Sequence, residues 1–508
     1  MLQIIVNVQL HERRVALVED GNLVELMIER ADQRRITGNV YKGVIENVVP
    51  SLNAAFVEIG LSRRAFLHIS DIARFDPFAD AETEEEEETF HQPMVKDYGT
   101  HITKVLNKGQ ELLVQIIKDP IGTKGARCTT QLSIPGRYLV LIPGPKHIGV
   151  SRRIRDKSER SRLRKQIAKV KPEGFGIIIR TIARGLSGDV LNQDLESLLQ
   201  VWEKIKHRAQ VLPPGSLIYR DAGLIPTLVR DQFSDEVSEF IIDSKEEHKK
   251  VIDYVQEVAP NLADRVKLFS GEESIFEKYG IEKQIDKMLS RSVRLPCGGE
   301  IVIDLTEALV AIDVNSGKST GKRDYEQMAM RVNCEAAEEI ARQIRLRDLG
   351  GIIVVDFIDL NKSENIARLE KTFKDALRKD RASKRILSIN DFGMMVITRK
   401  RVQQSITSRI TEQCPVCNGV GSIYSPSTMV ANLERWLIRA KGNFKGNAIL
   451  ITHPDIAEEL LSDGGERISD FKQAYEINLV VFAEASMNPN SYRIIDAKTG
   501  EDITNKYD

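Results

Sequence analysis

The sequence of 508 residues is poor in cysteine and histidine and has no long apolar run, and each shortage excludes a class of protein. Its five cysteines are an odd number, and only Cys414 and Cys417 lie close together, which argues against a disulfide framework and for a reducing compartment. No apolar run approaches the roughly 20 residues that cross a bilayer. The start lacks a basic segment followed by a long apolar stretch, so we expect no signal peptide and a cytoplasmic location.

The charges of the chain are nearly balanced. The formal net charge is −1 at pH 7, so any surface that binds nucleic acid must be local rather than spread over the molecule. Hydrophobic residues make up 42% and charged residues 29%, which is typical of a globular chain and not of a disordered one. The length exceeds what one hydrophobic core supports, so the sequence predicts several domains.

Changes of pattern along the chain divide it into segments. Short strands broken by glycine and proline predict a small barrel, and the acidic block at 80–90 within it is typical of a solvated loop. Apolar strands alternate with helices between residues 289 and 409, which favours an α/β layer. The predicted segments are weakly alternating strands (1–37), the barrel (38–127), a mixed region (128–225), a mainly helical region (226–288), the α/β layer (289–409), a cysteine turn (410–422) and an α+β module (423–508).

The stretch "VAIDVNSGKSTG" at 310–321 allows two interpretations. Its end is similar to the end of a nucleotide-binding P-loop, but that loop needs a glycine five residues before Gly317, and position 312 is Ile. A nucleoside-triphosphate hydrolase is therefore a weak third hypothesis. Asp313 instead closes an apolar strand, and Asp356 lies in a second one, "IIVVDFID".

The segment between these two strands predicts a helix. Asp324 can cap it, with Gln327 completing a capping box, and the glycines at 350–351 end it. Its apolar face is predicted at positions four residues apart: Met328, Val332, Ala336, Ile340 and Ile344. Two strands joined by one helix can lie side by side, so both aspartates would reach one sheet edge, where ligands of α/β sheets gather.

Carboxylates inside apolar strands are costly unless a cation compensates them, and Mg²⁺ typically takes one or two carboxylates plus phosphate and water oxygens. Either aspartate alone would be an ordinary buried residue, but the pair, with Asn315 two residues after Asp313, favours a metal site. Asp359 fits a helix cap better. No histidine occurs between residues 249 and 452, which disfavours a histidine general base, and a water activated by a metal ion needs none.

The turn "CPVCNGVG" at 414–421 is half of a zinc site, because its glycines let backbone amides approach the thiolates. A structural zinc ion wants four ligands, and the other cysteines are isolated: Cys128, Cys297 and Cys334. Two identical chains meeting across a two-fold axis would supply four thiolates. The alternatives are a redox dithiol and a free pair in a loop. We favour zinc shared between two chains, on condition that the protein is a homodimer.

Several residues are candidates for RNA binding. Phe56 and Phe66 lie on predicted barrel strands, where exposed aromatics stack on unpaired bases; the alternative, that both belong to the core, is about equal for Phe56. Lys124 lies in a turn flanked by glycines and can reach phosphate. Arg180 and Thr181 follow an apolar strand and form a plausible anion site. The basic run from 152 to 165 is by default a solvated helix face.

These residues together resemble a known family. The stretches "NVYKGVIENVVPSLNAAFVEIGL", "KDPIGTKGAR", "GFGIIIRT", "IVIDLTEALVAIDVNSGKSTG", "IARQIRLRDLGGIIVVDFIDL" and "CPVCNGVG" resemble the ribonuclease E/G family along nearly the whole chain. The resemblance implies a multidomain α/β and α+β fold. An OB-type RNA-binding barrel would be inserted in a ribonuclease-H-like subdomain (1–37 and 226–288), followed by a 5′-phosphate sensor region, a deoxyribonuclease-I-like catalytic subdomain, a zinc link and a small C-terminal α+β domain.

The resemblance also implies an activity. The family suggests an Mg²⁺-dependent endoribonuclease that cuts single-stranded RNA, is stimulated by a 5′-monophosphate end, and leaves a 5′-phosphate and a 3′-hydroxyl. Ribosomal RNA processing and RNA decay are the roles that it suggests. The alternative from a different class is a non-catalytic RNA-binding assembly protein that keeps the barrel and the zinc-linked dimer.

The family's functional residues are implied at particular positions. Those for catalysis and Mg²⁺ are Asp313, Asn315 and Asp356; those for the 5′-phosphate are Arg180, Thr181, Gly136 and Val140; those for RNA are Phe56, Phe66, Lys124, Arg152 and Arg153; those for Zn²⁺ between the protomers of a homodimer are Cys414 and Cys417. Whether two such homodimers assemble into a dimer of dimers is left open. Two departures from the family are the acidic insertion at 80–90 and Ser383-Lys384, where some relatives carry an arginine.

Overall fold

The fold was analysed in a computed structural model, which describes residues 1–30, 35–72, 101–120, 124–144, 147–317, 325–400, 405–462 and 464–507. The acidic block at 80–90, residues 318–321 of the ambiguous stretch and the proposed cap Asp324 lie outside the described residues. The chain divides into two compact units, Met1–Thr407 and Ser408–Asp508, and each is considered by itself.

The bounds of the strands and helices are as follows. The strands are β1 (Leu2–Val8), β2 (Glu12–Glu19), β3 (Asn22–Arg30), β4 (Val40–Val49), β5 (Ala54–Glu58), β6 (Ala65–His68), β7 (Glu111–Lys118), β8 (Arg127–Thr129), β9 (Ile134–Pro135), β10 (Leu139–Pro143), β11 (Ile148–Val150), β12 (Phe175–Ile179), β13 (Leu217–Tyr219), β14 (Val237–Ile242), β15 (Val266–Leu268), β16 (Ser292–Arg294), β17 (Glu300–Leu305), β18 (Leu309–Asn315), β19 (Gly351–Asp356), β20 (Lys384–Ile386), β21 (Met394–Arg399), β22 (Gly446–Thr452), β23 (Ile477–Ala483) and β24 (Tyr492–Asp496). The α-helices are α1 (Lys157–Val170), α2 (Gly188–Val211), α3 (Leu224–Gln232), α4 (Lys245–Val258), α5 (Ile275–Lys278), α6 (Ile281–Leu289), α7 (Tyr325–Leu346), α8 (Ser363–Ala376), α9 (Ile406–Ile410), α10 (Pro426–Ala440), α11 (Pro454–Leu461) and α12 (Glu466–Tyr475).

The first sheet joins two distant parts of the chain. Its strand order is β15-β14-β1-β2-β3, and β1 pairs in parallel with β14 and antiparallel with β2. Helices α3 and α4 pack on it around buried Phe233 and Phe240, whose ring centroids lie 5.2 Å apart. The chain leaves this sheet after β3 and returns at β14, so the intervening segments are inserted into it. The ribonuclease-H-like character of this part stays a prediction.

The second sheet closes into a barrel. Its order is β13-β4-β5-β6-β8-β7, and an additional β4–β7 pairing makes a ring of five strands. Register shifts between Ile45 and Asn47 and between Ile116 and Lys118 mark bulges, which bend strands and help a sheet to close. A ring of five strands is the architecture of an OB-type barrel, so this part of the predicted fold is confirmed.

The third sheet, of order β11-β12-β10-β9, lies between the barrel and the return to the first sheet. Helices α1 and α2 pack against it. The shared core contains residues of strand and helix alike: Leu139, Leu141, Ile177, Ile179, Leu163, Ile167, Leu191 and Leu195. This core fixes the strand ends at which Arg180 and Gly136 lie.

The fourth sheet has the order β16-β17-β18-β19-β21-β20. Strands β18 and β19 are parallel and α7 connects them, as the sequence predicts. The predicted helix face is confirmed: Val332, Ala336, Ile340 and Ile344 are fully buried and Met328 packs at the edge of the core. Because α7 and α8 cover one face of the sheet, the other face carries the alternate residues of each strand.

The second unit is a small α+β module. Its sheet has the order β23-β22-β24, and α10, α11 and α12 pack on one side of it. Trp436 is fully buried and donates from Nε1 to the carbonyl of Thr504 at 2.8 Å.

Within the described part of the chain, no helix combines the length and the apolarity needed to cross a bilayer.

Candidate functional site

Asp313 and Asp356 are direct neighbours on adjacent strands. The parallel register of β18 and β19 pairs Asp313 with Asp356. Both side chains are exposed, on the face opposite α7, because Ile312, Val314 and Val355 alternate with them and take the buried face. The two aspartates meet at one sheet edge, as the sequence predicts, and they lie within apolar strands. The expected cost of burying them does not arise, because a period of two sends every second residue of these strands to solvent.

The two carboxylates repel each other. The pKa of Asp356 is raised above its ordinary value, first by partial burial and then by the negative charges of Asp313 and Asp359. Asn315, two residues along β18, donates from Nδ2 to Asp313 Oδ2 at 2.5 Å. Among the ion pairs of the described residues, no lysine or arginine is paired with Asp313 or Asp356. The site therefore concentrates negative charge that a bound cation would offset.

The donor set fits Mg²⁺ better than a metal held wholly by protein. Within the described ranges, no cluster of three or more histidine, cysteine, aspartate or glutamate side chains could hold a metal ion. Two adjacent exposed carboxylates and the carbonyl oxygen of one amide supply only oxygen ligands and leave most positions around a cation to other ligands. Mg²⁺ is usually bound in this way, through one or two carboxylates together with phosphate and water oxygens.

Asp359 was expected to cap the following helix, and this was wrong. Helix α8 begins after Lys362 without a side-chain cap of its own. Glu326 of α7 instead fixes the residues that lead into this helix: its carboxylate accepts from the backbone amides of Asn361 and Lys362 at 3.0 and 3.1 Å and from Asn365 Nδ2 at 2.8 Å. The hydrogen bond from Asn365 and those from the backbone lower the pKa of Glu326 to about 2. Asp359 instead adds a third negative charge beside Asp356.

The predicted 5′-phosphate residues come together at the ends of β12 and β9. Arg180 follows β12 and donates from Nη1 to the carbonyl of Gly136 at 2.8 Å. The hydroxyl of Thr181 lies 2.8 Å from that of Ser151. Val140 pairs with Ile178 in the next strand over. Arg180 reaches from the end of β12 toward Gly136 after β9, whereas the hydroxyls of Thr181 and Ser151 meet between the ends of β12 and β11. A guanidinium and hydroxyls are groups that bind anions.

Two carboxylates that the sequence argument missed organise this surface. Asp231 lies 2.7 Å from Arg180 Nη1 and also pairs with Arg230. Burial raises the pKa of Asp231, but the hydrogen bonds and charges of Arg230 and Arg180 outweigh it, and the net pKa is lowered. Only the fold could reveal Asp231, because it lies in a separate helix far along the chain.

Asp194 is the second missed carboxylate. It accepts from the backbone amides of Arg137, Tyr138 and Leu139 at 3.2, 3.0 and 2.8 Å. A Cβ at position 136 would lie 2.7 Å from its Oδ2, so the turn needs Gly136. Burial raises the pKa of Asp194 despite these three bonds. The backbone amides of residues 137–139 are thereby occupied by Asp194.

The aromatic residues of the barrel form a pair. Phe56 and Phe66 are cross-strand partners on β5 and β6, and their ring centroids lie 6.0 Å apart in an edge-to-face arrangement. Both are half-buried, whereas their neighbours Ala55 and Val57 are buried, so the two rings lie on the outer face and not in the core. Lys124 is exposed in the turn just before β8, which pairs with β6.

The basic residues after β11 lie on the surface near the fourth sheet. Arg152 and Arg153 are exposed, and Arg153 Nη2 donates to the carbonyl of Arg381 at 3.1 Å. Lys384, at the departure from the family pattern, donates to the carbonyl of Asp380 at 2.7 Å, and burial lowers its pKa. Lys384 pairs with Arg399, at the end of the sheet remote from Asp356.

Cys414 and Cys417 lie in a hydrogen-bonded turn of the second unit. Backbone amides of Gly421 and Gly419, and then the thiol of Cys414, lower the pKa of Cys417. Asn488 donates to the carbonyls of Pro415 and Val416, both at 3.4 Å, and ties the turn to the small module. Amides that stabilise a thiolate are what a metal-binding cysteine turn requires.

Comparison with known proteins agrees with this architecture. The model of the Ribonuclease E/G family matches residues 133–402, and that of the S1 RNA binding domain matches residues 35–119. The barrel is therefore an S1-type RNA-binding domain, joined to an α/β sheet that presents two adjacent carboxylates.

Individual relatives cover nearly the whole chain. The chain is 35% identical to ribonuclease G of Salmonella typhimurium over 494 residues, or 97% of this chain and 99% of that protein. It is 37% identical to ribonuclease G of Haemophilus influenzae over 463 residues, 91% and 92% of the two chains. Ribonuclease E of Haemophilus influenzae is 38% identical over 97% of this chain but only 52% of its own length. This chain belongs to the ribonuclease E/G family, as the resemblance of its motifs predicts, and it is similar to ribonuclease G along nearly its whole length.

Proposed function

We propose that the protein is an Mg²⁺-dependent endoribonuclease that hydrolyses single-stranded RNA and leaves a 5′-phosphate and a 3′-hydroxyl. The observation that carries this proposal is the cross-strand pairing of Asp313 and Asp356 on an exposed sheet face, in a chain that also has an S1-type barrel. The similar proteins named ribonuclease G and ribonuclease E support it.

The residues of the chain have distinct tasks in this reaction. Asp313 and Asp356 hold the cation, and the bond from Asn315 Nδ2 fixes the orientation of the Asp313 carboxylate. The second N–H of Asn315 stays available to a phosphate oxygen, and its carbonyl oxygen can accept from the attacking water. When bound, Mg²⁺ neutralises charge on the phosphodiester and makes water a better nucleophile. The activation free energy of RNA cleavage would be lowered by positioning and electrostatics rather than by a covalent intermediate.

The 5′ end of the RNA would bind at Arg180. Its guanidinium and the hydroxyl of Thr181 supply charge and a hydrogen bond to a terminal phosphate, with Gly136 and Val140 as the adjoining backbone. Arg152 and Arg153 extend the positive surface. A monophosphate offers more negative charge than a hydroxyl end, so RNA with a 5′-monophosphate would be preferred.

The barrel would hold the single strand farther along. Phe56 and Phe66 present ring surface for stacking on bases, and Lys124 adds a charge for phosphate. Ribosomal RNA processing and RNA decay in the cytoplasm are the roles that fit this substrate class.

A shared zinc ion would join two chains into a homodimer. One cysteine turn supplies two thiolates, and a structural zinc ion takes four ligands, so a second copy of the turn completes the set. The lowered pKa of Cys417 favours the thiolate that zinc binds.

The proposal is tested with Asp313→Asn and Asp356→Asn on a fluorescent single-stranded RNA in Mg²⁺. Each substitution should lower kcat/KM at least ~100-fold, because it removes charge at the point where the reaction needs it. Asp304→Asn is the matched control: Asp304 is a carboxylate of the same sheet that pairs with Arg291 at 2.6 Å on the surface. Full cleavage by both site variants would refute the proposal, and binding without turnover in any divalent ion would favour the non-catalytic alternative.

A further inference from the structure

The turn that precedes β21 carries an exposed aromatic side chain. Phe392 is 78% exposed, more than the other phenylalanines among the exposed large hydrophobic residues of the described chain. Single exposed apolar residues need no explanation by themselves. The position of Phe392 and the rigidity of its turn do need an explanation, because hydrogen bonds around the residue determine both.

Phe392 lies at the end of the sheet that carries the two carboxylates. The antiparallel register of β19 and β21 pairs Asp356 with Met394, two residues after Phe392. Two residues span at most about 7 Å and paired strands lie about 5 Å apart, so the Cα of Phe392 is within about 12 Å of that of Asp356. A Cβ on Gly393 would lie 3.2 Å from Asp359 Oδ1, which places the turn against the same acidic group.

Hydrogen bonds hold this turn in one conformation. The side chain of Asn390 accepts from the amides of Phe392 and Met394 at 3.1 and 3.0 Å, and its backbone amide donates to the carbonyl of Met394 at 3.0 Å. Gly393 has a φ of +77°, which the turn requires and other residues rarely adopt. Glu370 of α8 accepts from the amide of Ile389 at 2.9 Å and anchors the start of the turn.

The ring is therefore held away from the core by a rigid support. A flexible loop would let Phe392 fold back and bury its ring, which hydrophobicity favours. The Asn390 turn fixes the backbone on both sides of Phe392, and the ring stays 78% exposed at the end of the sheet that carries the two carboxylates. A single-stranded nucleic acid has the complementary features: its phosphates are drawn to a cation at the carboxylates, and its bases offer apolar faces for stacking.

We propose that Phe392 stacks on a base of the RNA next to the phosphodiester that is cut. This inference rests on the proposed function, and it adds a base-stacking site distinct from the Phe56–Phe66 pair on the barrel. Stacking accepts every base, so Phe392 would align the strand at the carboxylates without imposing a strict sequence.

Cleavage of RNAs that carry one abasic nucleotide tests the proposal. For the wild type, an abasic residue at one position beside the scissile bond should lower kcat/KM about tenfold. Phe392→Ala should lower kcat/KM on intact RNA by a similar factor and lose this sensitivity at that position, because the stacking partner is gone. Phe392→Tyr should restore both. Equal abasic sensitivity in the wild type and Phe392→Ala would overturn the proposal.

A binding measurement gives a readout without turnover. The sequence has only two tryptophans, so Phe392→Trp introduces an exposed reporter beside the carboxylates. Its emission should change when single-stranded RNA is added with Ca²⁺ in place of Mg²⁺, with RNA integrity checked on a gel, and an abasic strand should reduce the change. Leu305→Trp is the control: Leu305 is 51% exposed at the opposite end of the same sheet. Equal responses of the two reporters would count against stacking.

The outcomes separate this inference from the proposed function. If the wild type cuts no RNA but the Phe392→Trp emission still responds to RNA bases, the proposed function fails and the stacking site stands. If Asp313→Asn abolishes cleavage while Phe392→Ala behaves as the wild type on every abasic RNA, the function stands and the stacking site fails. If Phe392→Ala instead changes only the oligomeric state on sizing chromatography, the ring contacts a second copy of the chain and the proposal is overturned.

Discussion

At the scale of single residues, the carboxylates of the proposed catalytic site serve the reaction and do not stabilise the fold. Asp356 has a raised pKa because partial burial and the charges of Asp313 and Asp359 disfavour its ionised form. The folded protein therefore holds a proton over a range of pH in which the unfolded chain has lost it, and the free energy of unfolding falls as pH rises through that range.

This sign leads to a prediction for Asp356→Asn. In EDTA at pH 7, the variant should have a Tm equal to or slightly above that of the wild type, because a repelled charge is removed. The difference should vanish below pH 3.8, the ordinary pKa, where the wild-type carboxyl is also neutral. Thermal unfolding across pH measures this. A variant clearly less stable than the wild type at pH 7 would contradict it.

Asp231 gives the second prediction at this scale. Its carboxylate lies 2.7 Å from Arg180 Nη1 and competes with any phosphate for that guanidinium. Asp231→Asn should increase the ratio of kcat/KM for 5′-monophosphate RNA to that for 5′-hydroxyl RNA, whereas Arg180→Ala should bring the ratio close to one. Arg230 keeps its pairing with Asp221, so the fold should survive. An unchanged ratio in both variants would mean that the 5′ end binds elsewhere.

At the scale of elements, the sheet of Asp313 and Asp356 is fastened at its other end by a buried ion pair. Asp380 and Arg399, with 3% and 7% of their side chains exposed, join at 2.9 Å, and Arg399 also contacts Asp348 at 2.6 Å. Burial raises the pKa of Asp380, but the bonds from Arg399 outweigh it and the net pKa is lowered. The stabilisation that Asp380 contributes is present at pH values above the ordinary pKa of an aspartate. It is lost as the pH falls through the lowered pKa that Asp380 has in the folded protein.

Asp380→Asn should therefore destabilise the protein, opposite in sign to Asp356→Asn. Removing one partner of a buried pair leaves the other charge uncompensated, which costs about 3 kcal/mol. Urea unfolding at pH 7 should show this loss, and the loss should shrink at acidic pH, where the wild-type carboxylate is itself protonated. Equal stabilities at pH 7 would show that the pair contributes nothing net.

The strands and helices of this sheet were largely predictable from the sequence, but the contacts that they make with distant parts of the chain were not. Periodicity in the sequence predicted both strands, the helix between them and its buried face at Val332, Ala336 and Ile340, since each depends on local spacing. The same spacing did not tell which face of the strands is covered, so the exposure of the aspartates was missed. The contact of Glu326 with the residues before α8 was missed because Glu326 and Asn361 lie 35 residues apart. Asp231, Asp194 and Phe392 depend in the same way on contacts or registers that only the fold creates.

At the scale of the whole molecule, the chain consists of two compact units, and the cysteine turn belongs to the second. The barrel and the sheet of Asp313 lie in the first. If zinc joins two turns, the dimer is made through a unit that holds none of the proposed catalytic residues, so assembly and cleavage should be separable.

The double substitution Cys414→Ser and Cys417→Ser tests this. We expect loss of zinc, measured by metal analysis, and a lower oligomeric state on sizing chromatography, because serine replaces the thiolates that zinc binds. Cys334→Ser, which alters an isolated cysteine, is the control. An unchanged dimer in the double variant would contradict the shared zinc site.

Cleavage-site mapping on total RNA tests the central claim most directly. Purified wild-type protein and Asp313→Asn are each incubated with total RNA in Mg²⁺, and newly formed 5′-phosphate ends are sequenced. We predict a defined set of internal cleavage sites in single-stranded regions with the wild type, and their absence with Asp313→Asn. The same set of ends with both proteins would contradict the assignment of the nuclease site to Asp313 and Asp356.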